Sequence, residues 1–82
     1  MYHFKYPNID EDKFLAYKKV LGKRLKSIRE SKEISLNDLA SLCNLEKTAI
    51  SRIENGRTNI TFKTALILCK ALDIKLNYFF DI

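Results

Sequence analysis

The sequence predicts an all-α fold, a compact set of five helices preceded by an N-terminal extension. Three observations carry that expectation. Apolar residues recur every three to four positions over most of the chain, the repeat of a helix that buries one face. Short polar residues suited to helix starts stand just ahead of these runs. Only two Gly and one Pro occur in 82 residues, so the turns that a sheet requires are scarce.

The first helix is expected from Asp10 or so to Ser31, with Phe14, Tyr17, Leu21, Leu25 and Ile28 on one face. Asn8 paired with Glu11, or Asp10, supplies an acceptor for the free N–H groups at its start. Gly22 falls inside this stretch. A mid-helix Gly costs about 0.5–1 kcal/mol relative to Ala, so one long helix and two shorter ones broken near Gly22 both fit the sequence. Ser35 and Asp38 have the spacing of a capping box, and Leu36, Leu39, Ala40 and Cys43 follow at i, i+3, i+4 and i+7. This second helix ends near Asn44, which tolerates the left-handed conformation. The third runs from Glu46 to Asn55 and is closed by Asn55-Gly56. Thr61 caps a fourth over Phe62 to Leu72, apolar on nearly every side and therefore expected at the centre of the fold or at an interface. A last short helix covers Leu76 to Phe80.

The composition, 46% hydrophobic and 30% charged, is that of a folded globular chain, and the length fits one domain with a modest core. No apolar run approaches the roughly 20 residues that cross a bilayer, and MYHFKYPNID has no apolar signal region. No membrane association is expected, and a cytoplasmic location is. Cys43 and Cys69 fall on apolar faces and read as buried structural thiols. With a single His the chain offers no metal-ligand cluster, so no cofactor is expected. A phosphate-cradling loop and a nucleophile beside a base are also missing, so an enzyme is not expected. Lys and Arg exceed Asp and Glu by 15 to 10, a net charge of +5. That excess suits a polyanionic partner without requiring one.

The third helix gives the charge a direction. With about 100° per residue, Lys47, Thr48, Ser51, Arg52 and Asn55 share one arc, while Ala49, Ile50 and Ile53 share the other. Two cations and three hydrogen-bonding side chains, with no acid among them, can donate to guanine edges and touch a thymine methyl. A merely solvated face is the competing reading.

Residues 34–56, ISLNDLASLCNLEKTAISRIENG, join two helices through a three-residue turn and resemble the helix-turn-helix of the Cro and phage-repressor (XRE) family of transcription regulators. The likeness rests on Leu39-Ala40, on Ile50 with Ile53, on IENG and on ALDI, and continues ungapped through TFKTALILCKALDIKLNYFF. It implies a compact five-helix lambda-repressor-like DNA-binding domain over residues 21–82, with the motif at 35–56. Residues 1–20 then form an extension, either an arm or the start of a long first helix.

The implied function is a sequence-specific transcription regulator that binds double-stranded DNA as a homodimer on a palindromic operator. By the same resemblance Lys47, Thr48, Ser51 and Arg52 face bases, Asn55 and Arg57 approach phosphates, and Arg29 pairs with Glu54. Leu76, Tyr78, Phe79, Phe80 and Ile82 are the candidates for the dimer interface, unless they only close the core. The alternative function is an antitoxin or adaptor module whose main surface meets a protein partner. The sequence departs from the family pattern at Leu36, where Gln is usual, at Glu46, where Ser or Thr caps, and at Asn44 and Asp73, which replace glycines. In YHFKY, the alternation of Tyr2, Phe4 and Tyr6 suggests a strand-like arm, with a frayed tail as the bland alternative.

Overall fold

The Asp10 carboxylate accepts a 2.8 Å hydrogen bond from the Asp12 N–H, which opens the first helix of the computed structural model. That model describes residues 10–82, so the alternation at Tyr2, Phe4 and Tyr6 lies outside the described residues. Five helices follow: α1 (Glu11–Ser31), α2 (Leu36–Cys43), α3 (Lys47–Glu54), α4 (Phe62–Leu72) and α5 (Leu76–Phe79). Ser35 caps α2 by accepting from the Asp38 N–H at 3.0 Å. Thr61 does the same for α4 through the Thr64 N–H at 3.1 Å.

The ends of α1 to α4 share one device. The residue after the last turn takes a left-handed conformation at Glu33, Asn44, Gly56 and Asp73. The next N–H then reaches back five residues, from Ile34 to Arg29, Leu45 to Ala40, Arg57 to Arg52 and Ile74 to Cys69, at 2.8–3.1 Å. This is the Schellman closure, which normally favours Gly because a Cβ in that conformation costs roughly 1–2 kcal/mol. Only one of the four positions is Gly. At the other three the following residue is apolar, and Ile34, Leu45 and Ile74 all pack against the core. Their burial offsets the strain of the preceding residue.

The core is built from Leu25, Leu39, Ile50, Leu68, Leu72 and Phe79, each essentially inaccessible to solvent. α3 packs on both α1 and α2, α4 packs on α2, and α5 bridges α4 back to α1. The buried residues of α1 all fall in its C-terminal half, although Gly56 beyond α3 also lies against the Lys19 backbone. Leu21, Leu25 and Ile28 are buried as their spacing predicts, but Phe14 is only half-buried and Tyr17 is exposed. On α4, Ala65, Leu68, Cys69 and Leu72 turn inward, whereas Phe62 and Leu66 remain exposed.

Gly22 does not break α1. Its face lies against the backbone at the end of α3, where a Cβ would collide with the carbonyl oxygens of Ile53 and Glu54. Glycine is required here for close approach of two helices, not for a turn. In an uncrowded helix Gly→Ala stabilises by about 1 kcal/mol; Gly22→Ala is expected to have the opposite sign. Overpacking of this kind costs about 1–3 kcal/mol, so urea denaturation should show a lower midpoint for Gly22→Ala. A higher one would refute the contact.

Candidate nucleic-acid interface

The turn between α2 and α3 is Asn44-Leu45-Glu46, three residues, so the two helices are held at a fixed angle by Leu45 in the core and by the left-handed Asn44. Glu46 precedes α3 without a side-chain hydrogen bond to the helix. The first-turn N–H groups of α3 therefore have no side-chain cap, in contrast to those of α2 and α4.

Ile50 and Ile53 are buried and seat α3 on the core. The opposite face carries Lys47, Thr48, Arg52 and Asn55 in the open, with Ser51 half-buried among them. The structure thus brings five of the six nucleic-acid candidates onto one side of one helix. Arg57 follows immediately, exposed, at the position where the other helix ends place an apolar residue. Its side chain is free of the core. Asn55 is partly engaged internally: its amide donates to the Ser51 carbonyl at 2.8 Å and closes the last turn of α3. Arg52 also borders a hollow of about 220 Å³ lined by Thr58, Asn59, Thr61 and Thr64 from the loop and start of α4. Leu45, Ala49, Ile53 and Ile60 line the same hollow, so a mainly apolar recess adjoins the outer face of α3.

Glu54 is withdrawn from that face. Arg29 Nε donates to Glu54 Oε2 at 2.7 Å and Nη2 to Oε1 at 3.1 Å, while Nη1 donates to the Ile34 carbonyl at 2.9 Å. Both side chains are more than nine-tenths buried. The hydrogen bond to Glu54 raises the Arg29 pKa above its ordinary value, against the opposing effect of burial, so the guanidinium stays charged. A two-point fork fixes the angle as well as the distance between α1 and α3. It also removes the one acid of α3 from the exposed face of that helix.

The C-terminal apolar residues divide. Phe79 is fully buried and fills the core, and Leu76 is half-buried against it, whereas Tyr78, Phe80 and Ile82 are exposed. Phe79 is thus a core residue, not a free contact side chain, because α5 docks that edge onto α1 and α4. Arg24, which the sequence reading passed over, holds this docking. Its Nε donates to the Tyr78 carbonyl at 2.9 Å and to that of Phe79 at 3.2 Å, and its guanidinium lies 4.6 Å from the Tyr78 ring centroid. Nothing local marks Arg24 among 15 cations, since its partners are more than fifty residues away. Cys43 and Cys69 are buried free thiols whose pKa values burial pushes up. Among the described residues no cluster of His, Cys, Asp or Glu could hold a metal, and no helix is long and apolar enough to cross a membrane.

A three-residue turn between two packed helices, with an exposed polar second helix, defines a helix-turn-helix DNA-binding domain. The chain belongs to the helix-turn-helix family HTH_3, which matches residues 25–79 and comprises DNA-binding transcription regulators of the Cro and repressor type. It is 36% identical over 78 residues to a protein of Methanothermobacter thermautotrophicus described as an HTH-type transcriptional regulatory protein. That match covers 95% of the chain but 25% of the relative, so the chain spans about a quarter of its length. The control protein C.SmaI of Serratia marcescens is 33% identical over 60 residues, 73% of this chain and 71% of that one.

Among solved structures, the restriction-modification controller C.AhdI of Aeromonas hydrophila is 31% identical, with a TM-score of 0.73 over 78% of this chain and 96% of that one. The controller C.Esp1396I, solved as a tetramer on its natural 35 base-pair operator, is 32% identical, with a TM-score of 0.70 over 83% of this chain and 86% of that one.

Removing either member of the α1–α3 ion pair strands a buried charge. Arg29→Met and Glu54→Ala are each expected to lose about 3–5 kcal/mol, read as unfolding free energy in urea. Replacing both by apolar residues should recover much of that loss, and additive losses in the double variant would refute the coupling.

Proposed function

We propose that this chain reads a specific operator sequence in double-stranded DNA, as a homodimer whose two α3 helices enter successive major grooves. The observation that carries the proposal is the outer face of α3: two cations, Thr48 and Asn55 in the open with Ser51 half-buried among them, and Glu54 held away from them by Arg29. On this reading Lys47, Thr48, Ser51 and Arg52 meet base edges, and Asn55 and Arg57 meet phosphates. Asn55 retains its amide oxygen after its Nδ2 has donated to the Ser51 carbonyl and, at 3.4 Å, to Ser51 Oγ. Arg57 extends the basic track beyond the helix.

One helix-turn-helix buries too little surface for high specificity, so two copies would read half-sites about 34 Å apart. Tyr78, Phe80 and Ile82 beside Leu76 remain candidates for contact between copies. The operator complex of C.Esp1396I, which is similar over most of this chain, lends support by analogy. The protein would act where the genome is, in the cytoplasm.

Selection of sites from a random duplex pool at about 0.15 M salt, where nonspecific binding is already weakened, tests the proposal. Enrichment of a palindrome with half-sites one turn apart is expected. A folded protein that enriches no sequence would refute specific reading and favour a module whose main surface meets another protein. On the selected site, Arg52→Ala should lose about 1–3 kcal/mol of binding and relax preference at one base pair. Arg57→Ala should weaken all sequences alike and flatten the dependence on salt. Titrations against matched and mismatched duplexes separate the two effects, and an unchanged preference in Arg52→Ala would remove that residue from the base-reading set.

A further inference from the structure

The first ten residues of α1 carry a largely apolar stripe that nothing among the described residues covers. Lys13, Ala16, Tyr17 and Val20 line one shallow depression. Their spacing of three, four and seven places them along one side of α1, where Ala16 and Val20 turn away from Leu25 and Tyr17 borders the core face. Tyr17 is 57% and Val20 47% exposed. Tyr17 also joins this stripe to a second hollow, of about 260 Å³, bordered by Phe14, Phe80 and Ile82. A helical stretch this short is marginal in water without a packed apolar face.

The charges beside the stripe identify what covers it. Asp12 stands on one flank near its amino end, Lys19 and Lys23 stand further along the same flank, and Lys13 lies within the stripe itself. Two such segments aligned in parallel would bring like charges together. Aligned antiparallel about a two-fold axis, each acidic end meets the other's basic stretch. Asp12 and Lys23 are eleven residues apart, about 20° beyond three full turns, so both lie on the same flank of the stripe. A two-fold axis between Tyr17 and Lys18 sets Asp12 of each copy against Lys23 of the other, with Tyr17 and Val20 between the two pairs. Such self-complementarity is what an isologous contact requires.

We propose that Lys13, Ala16, Tyr17 and Val20 of α1 pack antiparallel on the same stripe of a second copy, making the amino half of α1 the principal dimer contact. The proposal rests on the homodimer reading and assigns it an interface. That interface precedes residues 25–79 and so lies outside the part matched by the family. Phe80 and Ile82 flank it across the Tyr17 hollow, so the exposed C-terminal residues adjoin the contact without forming its centre.

Sedimentation equilibrium of the full chain over a concentration series tests this, with circular dichroism reporting helix content. Wild type is expected to dimerise. Tyr17→Glu and Val20→Glu, both at exposed positions, should weaken dimerisation by about tenfold or more with unchanged helix content. Asp12→Lys and Lys23→Asp should each weaken it, and the double exchange Asp12→Lys with Lys23→Asp should restore it, which a general loss of folding would not do. A wild-type dimer indifferent to all four substitutions would overturn the α1 interface and leave the homodimer standing. A wild-type monomer at every concentration would overturn both, and would point to residues 1–9 or another protein as the cover.

Discussion

The bidentate contact between Arg29 and Glu54 is the joint on which the geometry of this domain depends. It links α1 to the last turn of α3, and a second arm of the same guanidinium holds the Ile34 carbonyl that begins the link to α2. Ile34 in turn donates its N–H to the Arg29 carbonyl. One side chain therefore fixes the end of α1, the start of the helix-turn-helix and the tilt of its second helix. A buried ion pair contributes little net stability compared with a well-packed apolar alternative. Its contribution here is orientation, which an apolar contact of the same volume does not specify as tightly.

Gly22 works on the same contact from the other side. Its missing Cβ lets α1 approach the carbonyls at the end of α3, about two turns before the carboxylate of Glu54 meets Arg29. Close backbone approach and ionic fork together leave α3 little freedom to rock. A rigid second helix matters for recognition because direct reading of bases needs donors placed within a fraction of an ångström. The exposed face of α3 then inherits its position from contacts that are wholly internal.

The four Schellman closures show how the loops serve both stability and function. At Glu33, Asn44 and Asp73 the chain accepts a left-handed non-glycine residue and follows it with an apolar one that anchors on the core. At Gly56 the strain is relieved by glycine itself, and the next residue, Arg57, is released to the surface. The same backbone geometry thus yields a core anchor three times and an exposed cation once, and the cation falls at the end of the helix that carries Lys47 and Arg52.

Much of this was legible in the residues alone. Periodicity and caps determined the five helices, because the alternation of apolar and polar positions and the Ser35 and Thr61 acceptors act within a few residues of one another. The polar arc of α3 was legible for the same reason, and the Arg29–Glu54 pairing followed from resemblance. Three features were decided only by the tertiary structure. Gly22 read as a possible break, and its true constraint is a backbone that arrives from about thirty residues away. Tyr17 read as core, but it stays exposed because every fully buried residue of α1 falls in its second half. Arg24 carried no local signal, because its acceptors are the carbonyls of α5 near the other end of the chain. Local chemistry sets which segments become helices and which faces are apolar; which apolar face finds a cover depends on where the remaining helices end, and that is a property of the assembled chain.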